Sequence, residues 1–175
     1  MHTLVSAAVG PTAEIIAAIG DEQLDAPTPC REYDVHALLE HLSYWRPSLV
    51  GAARKQLVEP GSSDATLDEL VDAWSEPDAW AGTTRMGGPM EMPASLVGEM
   101  VLGELVVHGW DVARATGQPV TWDDAVLKVV HQGLGATAKQ GREMDLYGPE
   151  VLVAADAPLL DRILGLTGRD PRWPA

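Results

Sequence analysis

Apolar residues recur at three- and four-residue spacing through most of this chain, and that period predicts helices. Leu4, Val5, Ala8, Ile15, Ile16 and Ile19 mark a first helix over 3–19, with Pro11 as a kink or a break. Gly20, Pro27 and Pro29 then give a loop. Asp34 is a suitable N-cap for a helix running to about Val58 and closed by Pro60 and Gly61. Leu38, Leu42, Trp45 and Leu49 form its apolar stripe. Thr66 with Glu69 reads as a capping box opening a short helix that Pro77 ends. The Gly- and Pro-rich stretch GTTRMGGPMEMP predicts a loop or a short extended excursion. The longest helix is expected from Ala94 to Thr116, stopped by Gly117 and Pro119. Another follows, capped by Thr121 or Asp123, and APLLDRILGLTG supplies a last short one.

Four substantial helices plus short ones, with hardly any strand signal, predict an all-α four-helix bundle. The long connection over 59–93 argues against plain up-down-up-down wiring. The chain reads as one domain over residues 1–175, with 165–175 as a C-terminal tail. It shows no internal repeat and no low-complexity tract.

Polar residues interrupt two of the apolar faces. Four helical residues advance about 400°, so Glu104 and His108 share one face of the longest helix. Val97, Met100, Asp111 and Ala115 lie close to that face. On the Asp34 helix, His41 falls among Leu38, Leu42 and Trp45. A carboxylate buried alone is costly and calls for a compensating cation. A divalent metal held by His41, Glu104 and His108 satisfies all three side chains at once. Two histidines and a glutamate are the ligand set of many catalytic zinc sites, and equally of the non-haem iron triad. Asp111, one turn beyond His108, can accept that ring's other N–H, ligate directly, or take part in proton transfer.

Net charge changes the list of partners. Twenty-six acidic against 12 basic residues give −14, a field that repels phosphate backbones and excludes nucleic-acid binding as an expectation. No apolar run reaches the roughly 20 residues of a membrane span. The opening MHTLVSAAVGPTAEI lacks a basic n-region and a cleavage motif, so no signal peptide is expected. The single Cys30 favours a reducing, cytoplasmic setting. Six Trp and three Tyr with no Phe is a compositional bias without functional content.

Two stretches resemble a known family. TPCREYDVHALLEHL (28–42) is similar to the entry to the second helix of the mycothiol-dependent maleylpyruvate isomerase-like proteins, of the DinB-like superfamily. GELVVHGWDVARATGQ (103–118) is similar to their later helix, with Glu and His four apart followed by Trp-Asp. The segment YGPEV…DAPLLDRILGLTGRDP resembles the C-terminal part of an actinobacterial subgroup of mostly unassigned function.

The resemblance implies a DinB-like four-helix bundle binding a divalent metal. Zinc is the first choice, with nickel or iron as alternatives, through His41, Glu104 and His108. It further implies a low-molecular-weight thiol such as mycothiol as co-substrate, a small electrophile as partner, and a homodimer as the expected assembly. A metal-coordinated thiol deprotonates near neutral pH, which suits S-transfer or isomerisation. The sequence departs from the family in having Tyr33 where Trp is usual, and in being too short for the further domain of the true isomerases.

A cationic anchor for carboxylates has three candidates, Arg46, Arg85 and Arg142, with no motif to choose among them. Cys30, just before a helix, reads as a small buried residue more readily than as a nucleophile. His36 is expected to be exposed, His131 to have no partner, and His2 is terminal. Trp45 and Trp110 are expected to wall the pocket or pack in the core. The resulting expectation is a thiol-dependent metalloenzyme. The alternatives are a non-catalytic metal- or ligand-binding bundle and a metal-free interaction domain.

Overall fold

The computed structural model describes residues 3–174, so His2 lies outside the described residues. The chain is all-α apart from one small hairpin. Its elements are α1 (Leu4–Ala17), α2 (Val35–Ala53), α3 (Leu67–Ser75), β1 (Thr83–Arg85), β2 (Glu91–Pro93), α4 (Ala94–Ala115), α5 (Asp124–Glu143) and α6 (Leu159–Leu166). The helix α4 is the centre of the bundle and packs against α1, α2 and α5. The helix α3 lies on α1 and α2, and α6 lies on α5.

The caps behave as the side chains dictate. Asp34 accepts the Ala37 N–H at 2.8 Å and starts α2. Thr66 and Glu69 exchange two hydrogen bonds, at 2.7 and 3.1 Å, and start α3. Asp123, not Thr121, precedes α5, without a side-chain cap bond. The helix α1 runs through Pro11 unbroken.

The helix α2 ends at Ala53, five residues before the expected Val58. Lys55 takes a left-handed backbone (φ 58°), its N–H donates to Ala52 O at 3.2 Å, and the Gln56 N–H reaches back to Gly51 O at 2.9 Å. That is a Schellman ending. It is made by a lysine whose ammonium is held by the carbonyls of Ala79 and Ala81, at 2.8 and 2.9 Å. No glycine marks the stop, so the apolar period reads on past it. The same ending closes α4 at Gly117, α5 at Asp145 and α6 at Gly168.

The long connection between α2 and α4 is occupied rather than loose. It carries α3, a short turn over Pro77–Trp80, and the antiparallel pair β1–β2 in the register Thr84 to Met92. This hairpin is the short extended excursion that the Gly/Pro pattern allows. Thr84 Oγ1 donates to Ala52 O at 2.6 Å and fixes the hairpin to the end of α2. Small residues permit the closest approaches. A side chain on Gly109 of α4 would meet Trp122 at 2.9 Å and Thr12 at 3.0 Å, and the Trp122 indole N–H donates to Ala8 O at 3.1 Å. In this way α1 is bound to α4 and to the α4–α5 connection. No described helix is long and apolar enough to cross a membrane.

Candidate metal centre

The side chains of α2 and α4 meet at the floor of a cleft of about 580 Å³. His41 enters from α2, and Glu104 and His108 enter from consecutive turns of α4. His41 Nε2 lies 3.3 Å from Glu104 Oε2, and His108 Nε2 lies 3.5 Å from the same oxygen. All three donor atoms fall within 4.8 Å of one another. Bond lengths of 2.0–2.2 Å around a tetrahedral zinc imply ligand atoms roughly 3.3–3.5 Å apart. The two nitrogen-to-oxygen separations fall on that edge.

Asp111 orients the site from behind. Its side chain is fully buried, and its Oδ2 lies 3.0 Å from His108 Nδ1. An ionised carboxylate only accepts, so this contact places the proton on Nδ1 and turns the Nε2 lone pair toward Glu104. A lone pair facing a carboxylate oxygen at 3.5 Å calls for a proton or a cation between them. The donor set therefore fits a divalent ion on chemistry as well as spacing. Asp111 Oδ2 is shared between His108 Nδ1 and Arg169 Nη2, and Asp111 also falls in a second group of candidate donors with Cys30 and His108.

Arg169 completes the arrangement. Its Nη2 donates to Asp111 Oδ2 at 2.9 Å, its Nε to Oδ1 at 3.3 Å, and its Nη1 to Thr167 O at 3.0 Å. Within the C-terminal stretch, Gly165 and Leu166 belong to α6, and Arg169 lines the cleft. The three arginines singled out from the sequence are engaged elsewhere. Arg46 donates to Ala65 O at 2.9 Å, Arg85 pairs with Glu91 at 2.6 Å in the hairpin, and Arg142 binds Leu166 O and Glu150. The cation that pairs with Asp111 is Arg169, whose sequence signal is its place directly after a helix-stopping glycine; Arg31 also lines the cleft.

Loop residues cover the histidines. The Thr28 hydroxyl donates to Tyr33 O at 2.6 Å and accepts the Cys30 N–H at 3.1 Å, which locks the TPC turn. The Tyr33 ring then sits 5.1 Å from the His41 ring, and the two histidine rings stand edge to face at 5.2 Å. Cys30 is half-buried in the cleft wall, its sulfur within 4.8 Å of the His108 and Asp111 ligand atoms. Burial pushes its thiol up despite the nearby Arg169, so Cys30 is held as a neutral thiol. Trp45 lines the cleft, whereas Trp110 is buried in the core with Arg114 over its ring. His36 is exposed beside Glu40, and His131 is half-buried away from the cleft.

Glu104 has the opposite electrostatics to Cys30. Burial pushes its carboxyl up, but in the metal-free site the protonated forms of His108 and His41, with Arg169, outweigh that and hold it below the usual range. A lowered carboxyl pKa contributes stability above the unfolded value and loses it as pH falls through the folded value. Metal-free Glu104→Gln is therefore expected to be less stable than wild type above about pH 4.5. The difference should shrink as acid titrates the folded carboxylate. Urea unfolding across a pH series measures this.

Comparison with known proteins gives a partial match that takes in the first of the three side chains. Residues 5–70 match the mycothiol maleylpyruvate isomerase N-terminal domain. The span matched to this isomerase domain holds α1, α2 and His41, while Glu104 and His108 follow on α4. The chain is also 31% identical over 121 residues to an uncharacterized protein of Mycobacterium tuberculosis, in strain CDC 1551 / Oshkosh and again in strain H37Rv. The alignment takes in 63% of this chain and 64% of those relatives' length. No solved structure gives a significant match.

Proposed function

We propose that this protein binds one divalent metal ion, zinc first, through His41, Glu104 and His108, and uses a low-molecular-weight thiol of the mycothiol type to modify a small electrophile. The observation that carries the reading is the convergence of those three donor atoms on the floor of an open cleft. A cleft of about 580 Å³ has the size of a small-molecule site. Its opening onto the donor atoms supports a catalytic role over mere bracing of the bundle.

Each side chain has a definite task in this reading. The bound ion would lower the pKa of a coordinated thiol and so supply a nucleophile at neutral pH. Asp111 holds the proton on His108 Nδ1 and keeps Nε2 free to coordinate. Asp111 and Arg169 pair with each other, so the immediate coordination sphere of a divalent ion and Glu104 would carry one net positive charge that an anionic thiol ligand would neutralise. Arg31, Glu32, Glu99 and Asp145 also line the cleft. Leu96, Val107, Val130 and Leu134 give the cleft an apolar wall that excludes water and accepts the body of the electrophile. The Tyr33 ring keeps His41 in place from the loop side.

Elemental analysis of the purified protein and zinc titration test the proposal. Wild type is expected to bind one equivalent, and His108→Ala to lose more than the roughly 10–100-fold that removal of an outer partner costs. Far-UV circular dichroism should show the helices retained. His108→Ala should also abolish consumption of the thiol with an electrophile. A wild type without stoichiometric metal, or affinity unchanged in His41→Ala, Glu104→Ala and His108→Ala, rejects the proposal. Bound metal without thiol consumption, combined with unfolding by chelator, assigns the ion a structural task instead.

A further inference from the structure

We propose that Arg169 is the positioning residue of the metal centre: by gripping both oxygens of Asp111 it fixes the orientation of the His108 ring and hence the affinity for the metal. The inference rests on the metal-binding reading above and adds to it a residue from the far end of the fold.

The contacts form an unbroken line. Arg169 reaches Asp111 Oδ1 and Oδ2 through Nε and Nη2, and Asp111 Oδ2 faces His108 Nδ1 at 3.0 Å. Asp111 is fully buried and the Arg169 side chain only 8% exposed, so water does not compete for these contacts. A two-point grip by a planar guanidinium fixes the plane of a carboxylate, which a single ammonium contact does not. Arg169 is itself set by backbone. It follows Gly168, whose left-handed turn ends α6, its N–H donates to Leu164 O at 2.9 Å, and its Nη1 donates to Thr167 O. The guanidinium therefore has a fixed place from which to hold Asp111.

The sign of the effect separates positioning from charge. Arg169 is a cation close to the site, and removing a neighbouring cation should by itself strengthen binding of a metal ion. Loss of the grip weakens it, because the His108 ring is released. Zinc affinity is to be measured by chelator competition in wild type, Arg169→Lys, Arg169→Met and the double variant Arg169→Met/Asp111→Asn. The double variant leaves no unpaired buried charge and keeps the test open where Arg169→Met alone does not fold.

Affinity is expected to fall about 10–100-fold in the Met and double variants, and nearly as far in Arg169→Lys, which keeps the charge but loses the fork. The second readout is nitrogen NMR of the His108 ring in metal-free protein with the imidazole neutral. Wild type should show a fixed Nδ1–H tautomer and the variants an averaged one. Unchanged or tighter zinc binding in Arg169→Met or Arg169→Lys, or His108 resonances identical to wild type in these variants, overturns the proposal. A wild type that binds no zinc sinks the metal-binding reading, while the ring resonances still decide whether Arg169 orients His108.

Discussion

Trp74→Ala is expected to lower the free energy of unfolding by about 3–5 kcal/mol, read as a fall in urea midpoint at unchanged slope. Trp74 is fully buried in α3, and its indole N–H donates to Leu49 O in α2 at 3.1 Å. Its ring meets Trp80 edge to face at 5.1 Å, and the Trp80 indole N–H returns to Trp74 O at 2.9 Å. Trp80 in turn lies directly against Gly98 of α4, where any side chain would clash with the ring. Truncation leaves a cavity where α2, α3 and α4 are joined, and little can collapse into it. Trp74 does not line the cleft, so zinc affinity of the folded variant should match wild type. Lost affinity there would mean that the bundle transmits packing defects to the site.

Gly168→Ala is expected to damage both stability and the site. The residue sits at φ 80°, and a Cβ there would lie 2.8 Å from the backbone carbon atoms of Gly148. Left-handed strain of roughly 1–2 kcal/mol adds to overpacking of about 1–3 kcal/mol, since backbone cannot step aside as a flexible side chain can. The expected loss is therefore about 2–5 kcal/mol. Displacing residue 168 also displaces Arg169, so zinc affinity should fall as in Arg169→Met. Gly117→Ala is the control: φ is 69° in the same kind of helix ending, but nothing lies within 4 Å of the added methyl. It should lose only the strain, about 1–2 kcal/mol, with zinc binding intact. Denaturant titrations of the two variants, with and without zinc, make the comparison.

The helices were legible because their signals are local. Asp34, Thr66 and Glu69 cap through bonds spanning three residues, and the stripe Leu38, Leu42, Trp45 and Leu49 needs only the helical period. Glu104 and His108 were readable for the same reason, four apart on one face. Their meeting with His41 crosses 63 residues and follows from a polar group on each of two apolar faces. The stop at Lys55 was not legible, because no glycine marks its left-handed turn and the carbonyls of Ala79 and Ala81 that hold its ammonium lie far along the chain. Arg169 escaped for a related reason. Charge on an arginine after a short helix says nothing of direction, and its partner Asp111 lies 58 residues earlier.

The ending of α6 has a consequence for synthesis on the ribosome. The helices α2 and α4, which carry the proposed metal ligands, leave the exit tunnel well before residues 167–169, which hold Asp111 behind His108. A nascent chain would thus carry all three proposed donor atoms while the His108 imidazole is still free to rotate. On the proposed reading, tight loading would wait until α6 docks on α5, so ion retention would be acquired late in folding.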